Sequence, residues 1–423
     1  MGKITRAWAA AFALLIALPL MLTACTGGED RRFAGATPTS TVGSQPPPKP
    51  LTLAVTPASG ATKQPVSTEI GTEVTGGQVS EVKLTTAGGA EVTGAMRPDG
   101  TSWVPDRPLE YGQTYTASVT ATGPSGQTET KTTTFTTMSR PGSRIESGLY
   151  LADGRTYGVA MPVAVEFRPG IAQQDRAAVQ KRMFVATDPP QPGTWHWVAN
   201  GTQAYYRAPE YWQPGTTVSV RIALEGLPLS NGRYGDTDRR ATATIGGKLE
   251  VKVDNATKKL SVYDNGTLVK TMPVSLGKPR TPSSSGTMVI MDKQEHTIFD
   301  TYAELGPVEG YRTPIDYAQR LTWGGEFVHS APWSVADQGR RNVSHGCINV
   351  SPANAKWLFD RTKVGDPVTV TGTEVPLENG NGWTAWNMSW AEFIKGSALP
   401  VPADLAAANA GAPGGTPAAT PTG

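Results

Sequence analysis

Residues 111–119 read YGQTYTASV and residues 212–220 read WQPGTTVSV, two turn-plus-strand segments offset by 101 positions. In each, a Gly-containing turn leads into an alternating run, which is the pattern of a strand with one buried and one exposed face. The offset is about the length of one immunoglobulin-like domain. Similar alternation in Leu51–Val55 and Lys131–Thr137, punctuated by Gly, Pro and Asp, extends the pattern outward. The segments together predict two tandem β-sandwiches, over residues 51–139 and 145–246. The second carries one helical insertion between Ile171 and Met183.

Beyond Leu249 the reading changes. Leu249–Val253 is a predicted strand, and Leu260–Asp264 with Leu268–Val274 form a hairpin around Asp264-Asn265-Gly266, a strong two-residue turn signal. Ser351-Pro352 opens a helix to about Thr362, with Ser as N-cap and Pro at the first helical position. Pro367–Val370 closes the domain, taken as residues 247–372. Residues 373–398 are Trp-rich (Trp383, Trp386, Trp390) and are expected to cap the preceding domain. Residues 399–423, dominated by Ala, Pro and Gly, are expected to be a disordered tail.

Composition supports a mainly β chain. Of 423 residues, 47 are Gly and 35 are Pro, and only 17% are charged, which excludes a coiled coil or long helical bundle. The net charge of +2 gives no basis for nucleic-acid binding, which needs clustered Lys and Arg. The N-terminus has Lys3 and Arg6 before an apolar run from Ala7 to Leu22, shorter than the roughly 20 residues of a membrane span and typical of a signal peptide. Leu22-Thr23-Ala24-Cys25 resembles the bacterial lipobox. Residues 1–25 are accordingly expected to be a lipoprotein signal with Cys25 as the lipidated residue. Residues 26–50, ending in Pro46-Pro47-Pro48-Lys49-Pro50, form an extended tether. Since the chain holds two cysteines, acylation of Cys25 leaves Cys347 without a disulfide partner.

That thiol lies in residues 327–352, FVHSAPWSVADQGRRNVSHGCINVSP. Thiolate chemistry needs a base or cation near sulfur, because a free thiol is mostly protonated at neutral pH. His345, two residues from Cys347, projects to the same side of an extended chain. His329 must approach from a neighbouring element. Gly346 permits the close backbone approach that an oxyanion-binding site requires. A zinc site built on His329, His345 and Cys347 is the alternative, though no fourth ligand is evident.

Ser344-His345-Gly346-Cys347-Ile348-Asn349, preceded by His329, resembles the catalytic signature of the L,D-transpeptidases (YkuD-type). Ser275–Gly286, Glu309-Gly310-Tyr311-Arg312-Thr313 and Val328–Trp333 resemble further segments of that family's lipidated multidomain members. The resemblance implies two immunoglobulin-like domains, a β-rich catalytic domain with a short helix, and a Trp-rich C-terminal segment. It implies Cys347 as nucleophile, His329 as base and Ser330 as third member acting through its backbone. Oxyanion stabilisation falls to the N–H groups near Gly346 and Cys347, helped by Tyr311. Ser344, His345, Asn349 and Trp333 are implied to shape the site and contact substrate. The segment 299–308 departs from the family pattern, with Phe299 where Met is common.

The implied reaction is peptidoglycan 3→3 cross-linking on tetrapeptide stems through a Cys thioester. Stem side-chain amines would be the acceptors and carbapenem-type β-lactams the inhibitors, without metal or cofactor. The enzyme would be lipid-anchored at the outer face of the cell membrane, facing the wall. Two alternatives stay open: an L,D-carboxypeptidase, in which water replaces the amine, and a non-catalytic wall-binding protein.

Overall fold

The structure, a computed structural model, describes residues 49–310 and 312–408. Cys25, the signal segment, most of the tether, Tyr311 and residues 409–423 lie outside the described residues.

Alternation along each strand decides where the cores form. Thr114–Thr122 buries Tyr115, Ala117, Val119 and Ala121 while its Thr and Ser residues face outward. It sits between Gln78–Thr86 and Thr128–Thr137 in a five-stranded sheet, which faces a four-stranded sheet ordered Thr52–Thr56, Ile70–Thr75, Ser102–Pro105, Gly94–Met96. The counterpart, Thr217–Ala223, buries Val218, Val220 and Ile222 between Met183–Asp188 and Asp238–Ile245. Its facing sheet is Glu146–Leu149, Val163–Arg168, Gln203–Arg207 and Thr194–Trp197. The two echoing segments thus occupy equivalent central strands. The helical insertion is shorter than its sequence suggests: a turn at Gln173–Asp175 and a helix at Arg176–Gln180.

The third body packs a six-stranded sheet against a four-stranded one. Leu249–Asp254, Lys259–Asp264 and Thr267–Pro273 pair antiparallel around the hairpin turn, where Asn265 (φ 47°) and Gly266 (φ 80°) both take the left-handed conformation of a type I′ turn. Pro367–Thr371, Ser284–Val289 and Val375–Pro376 complete that sheet. The second sheet runs Asp292–Asp300, Arg312–Arg320, Phe327–Ser330, Ile348–Val350. Helix Pro352–Arg361 begins at the predicted cap, Ser351 Oγ accepting from the Asn354 N–H, and buries Ala355 and Leu358.

The Trp-rich segment does not cap the preceding domain in the expected way. Trp383, Trp390 and Phe393 join the core of the second sandwich, with Val289 and Met291 as the contribution of the third body. The anchor is Arg207, 2% exposed, whose guanidinium donates to the carbonyls of Ala385 and Met388 at 3.0 Å each. It lies 4.4 Å from the Trp386 and Phe393 ring centres. Burial among rings lowers the guanidinium pKa to about 9, and cation–π contact and hydrogen bonds offset that cost. His196 is covered by the same segment: its Nδ1 bonds the Phe393 carbonyl at 2.8 Å and its ring stacks on Phe393.

Part of the stretch expected to be a disordered tail is ordered. Ala403–Ala407 is helical, and Leu405 is buried with its carbonyl accepting from Trp390 Nε1 at 2.9 Å. One apolar anchor suffices to order a stretch whose average composition reads as unstructured.

The second sandwich and the third body meet at Gly158, whose N–H donates to the Val364 carbonyl at 2.8 Å, followed by Ala160 to Gly365 at 2.9 Å. A Cβ on Gly158 would lie 2.1 Å from Asp366 Oδ1 and 2.4 Å from the Gly365 carbonyl carbon. Gly158→Ala is expected to cost about 1–3 kcal/mol, the usual penalty for overpacking. In urea unfolding the Gly158→Ala midpoint should fall. Gly247→Ala, where nothing lies within 4 Å, should leave it unchanged.

Candidate active site

The strands Phe327–Ser330 and Ile348–Val350 pair in parallel, with Val328 opposite Ile348 and His329 opposite Asn349. Side chains alternate across a sheet, so Val328, Ile348 and Val350 enter the large core beneath it. Phe327, His329 and Cys347 fall on the other face. There Cys347 joins Ile315, Ala318 and Phe327 in a small apolar cluster against which Phe299 packs. The sheet thereby brings His329 and Cys347 to one surface from positions 18 apart in sequence.

His329 is held from three directions. Its Nδ1 lies 2.8 Å from the Ser330 carbonyl, an acceptor, so Nδ1 carries the proton and Nε2 is left as the basic nitrogen. Phe299 meets the ring edge-on at 5.3 Å, and Trp333 lies 6.0 Å away while remaining 58% exposed. Ser330 acts here through its backbone; the residue is 4% exposed.

The loop 344–347 is closed by its own first residue. Ser344 Oγ donates to the Cys347 carbonyl at 2.6 Å and accepts from the Gly346 N–H at 3.2 Å. Gly346 has φ 116°, a conformation side-chain-bearing residues avoid, which explains glycine before the nucleophile. Its carbonyl accepts from Ser283 Oγ at 2.6 Å. The Gly346 N–H is therefore committed to Ser344, and only the Cys347 N–H remains of the pair expected to bind an oxyanion.

Asn349 was expected to contact substrate. It is instead 2% exposed, its amide donating to Ser334 Oγ at 3.2 Å, so it supports the turn after His329. His345 turns to Lys278, whose Nζ lies 2.8 Å from His345 Nε2. The two histidines thus serve different partners, and among the described residues no three His, Cys, Asp or Glu side chains are gathered as a metal would need. Sequence reasoning missed Lys278 and Glu326. The Glu326 carboxyl accepts from both the N–H and Oγ of Ser284 at 2.9 Å, fixing the 281–286 loop, and burial raises its pKa.

Burial sets the protonation of the pair. The Cys347 thiol is pushed up to about 12, and the nearby Glu326 carboxyl adds to that shift. Burial pulls the His329 imidazole down to about 4 against the opposing effect of the Ser330 carbonyl. Both groups are neutral at pH 7, with the thiol donating to the Gly325 carbonyl at 3.6 Å. Burial thus favours the neutral thiol and imidazole over a thiolate–imidazolium pair. Proton transfer must accompany attack on a substrate that displaces water and supplies the electrophile. Iodoacetamide should consequently alkylate Cys347 more slowly at pH 7 than a free cysteine. The rate should climb about tenfold per pH unit up to at least pH 9, as for an unactivated thiol. A plateau between pH 5 and 7 in peptide-mapped alkylation kinetics would contradict the neutral pair.

Comparison with known proteins places the chain in a family. Residues 248–370 match the family described as L,D-transpeptidase catalytic domain, and residues 61–228 match the one described as bacterial Ig domain. L,D-transpeptidase 2 of Mycobacterium tuberculosis is 35% identical over 406 residues, covering 94% of this chain and 96% of that protein. L,D-transpeptidase 5 of the same species is 35% identical over 92% of this chain and 84% of its own length. A solved L,D-transpeptidase in complex with imipenem is 36% identical, covering 55% of this chain and all of that one, with a TM-score of 0.45. With two immunoglobulin-like sandwiches ahead of a catalytic domain that carries the His329/Cys347 pair, the chain belongs to the L,D-transpeptidase family of cysteine-dependent acyltransferases.

Proposed function

We propose that the protein forms 3→3 cross-links in peptidoglycan through a thioester on Cys347. The observation that carries this reading is a buried imidazole with its Nδ1 proton tied to the Ser330 carbonyl, on the same sheet face as the sole cysteine among the described residues. Sulfur attacks the carbonyl of the third residue of a tetrapeptide stem while the thiol proton passes to His329 Nε2. The oxyanion is held by the Cys347 N–H and the Tyr311 hydroxyl. The carbon–nitrogen bond breaks as His329 returns the proton to the departing D-Ala amine, leaving the thioester. A side-chain amine of a second stem then attacks, its proton moves to His329, and collapse expels sulfur, which recovers the proton as a thiol. Sulfur suits both halves, because it is a strong nucleophile and a good leaving group. A neutral imidazole is the required starting state for accepting the first proton, and burial enforces it.

A carbapenem presents the same thiol with a strained acyl donor and no departing amine. One adduct should therefore form per protein, at Cys347 alone, as read by intact mass and peptide mapping. Cys347→Ala should abolish the adduct. His329→Ala should slow it by roughly 10²–10⁴-fold, the usual worth of a positioned base. Tyr311→Phe should cost about 10²-fold, as for one lost oxyanion donor. Chelators should have no effect. An adduct mapped outside residues 344–349 would falsify the mechanism. Incubation with a disaccharide tetrapeptide separates cross-linking from hydrolysis by whether dimers accumulate.

We also propose that Cys25 is diacylated and anchors the enzyme to the outer face of the cell membrane. The short apolar run and Leu22-Thr23-Ala24-Cys25 support this reading. Cys25→Ala should shift the protein from membrane to soluble fractions with the activity of the exported part unchanged. Persistent membrane fractionation of that variant would remove the anchor from the proposal.

A further inference from the structure

His345, two residues from the nucleophile, contacts a cation that the mechanism does not use. Lys278 belongs to the loop 275–283, which is bonded to the catalytic loop along its length. The Ser344 N–H donates to Leu276 O at 3.0 Å and the Lys278 N–H to Ser344 O at 2.9 Å. Ser283 Oγ accepts from the Gly277 N–H and donates to Gly346 O. These bonds fix the Lys278 backbone relative to Cys347. Its side chain then reaches His345, two residues from the nucleophile, at 2.8 Å. An ammonium has three protons to donate, and His345 Nε2 takes one. Lys278 is half-buried, and among the described residues no carboxylate forms an ion pair with it.

We infer that Lys278 binds the terminal carboxylate of the donor peptide, one residue beyond the carbonyl that Cys347 attacks. The inference rests on the reaction proposed above. In a tetrapeptide stem the scissile amide is followed by a single residue, so a free carboxylate lies within about one Cα spacing, roughly 3.8 Å, of the departing nitrogen. A fixed ammonium near the nucleophile matches that anion in charge and place. It restricts acyl transfer to stems ending at the fourth residue, because a longer stem carries an amide, not a carboxylate, at this point. Lys278 is the cation of this contact, its ammonium donating to His345 Nε2. The substrate carboxylate therefore meets Lys278 as its cation. A residue that merely propped His345 would serve acid and amide substrates equally.

The test uses the Cys347→Ala protein, which binds without reacting, and two synthetic stems, a tetrapeptide with a free C-terminal carboxylate and the same peptide as its carboxamide. Calorimetry should show the acid bound about ten- to hundredfold more tightly, the range for a hydrogen bond to a charged group. Adding Lys278→Met should bring the acid down to the affinity of the carboxamide and leave the carboxamide unchanged. Lys278→Arg should keep most of the preference. Equal binding of the two stems by the protein that retains Lys278 overturns the inference, whatever the folding of the variants. So does an equal loss for both stems on Lys278→Met. With Cys347 restored, stems that bind with the expected preference but never acylate the thiol would sink the proposed reaction and leave the carboxylate site standing.

Discussion

The parallel ladder between Phe327–Ser330 and Ile348–Val350 is the constraint on which the site depends. Parallel neighbours cannot be joined by a tight turn and need a crossover of a dozen or more residues. Here the crossover is the segment 331–347, and the chain uses it for chemistry instead of a long helix. Its beginning supplies the carbonyl-bearing turn that orients His329, and its end supplies the Ser344–Cys347 loop. Slipping the pairing by one residue would turn Cys347 or His329 into the apolar core beneath. Register is therefore as decisive for activity as the identity of either side chain, and Val328, Ile348 and Val350 set it by burying on the far face.

Local signals in the sequence were read correctly where they act locally. Asn265-Gly266 specifies its turn because few other residues adopt two successive left-handed conformations, and Ser351-Pro352 starts its helix because cap and first turn are decided within four residues. The His329/Cys347 pair was legible through its motif. What escaped were partnerships made across long separations. Nothing near Trp383–Phe393 announces that its partner is Arg207, 178 positions from Ala385. Lys278 and His345 are 67 positions apart, and neither residue alone signals the contact. Asn349 sits within a catalytic motif, which suggested substrate contact, whereas the strand alternation that governs its burial sends it to Ser334.

Burial has opposite effects on the two pKa values, and the result is that both reacting groups rest uncharged. Apolar neighbours Phe299, Phe327 and Ile315 disfavour charge on both sulfur and imidazole. A neutral imidazole remains a competent base, and a neutral thiol resists oxidation and stray alkylation. Phe299 takes part in both contacts, touching Phe327 and His329, and closes the apolar wall.

The return of the C-terminal segment to the second sandwich has a consequence for the ancestry of the chain. Residues 249–371 form the catalytic sheets, yet the aromatic residues that seal the preceding sandwich lie downstream of them. Genetic exchange at the joint near residue 247 would separate Arg207 from its rings and leave a buried guanidinium facing solvent-filled space. A crossover between the two sandwiches cuts no such pairing within the second. The heritable unit is therefore the second sandwich, the catalytic sheets and the Trp-rich segment together, and a replacement of the first sandwich has only to supply polar partners equivalent to Glu69 for Arg182 and the Pro105 carbonyl for Arg221.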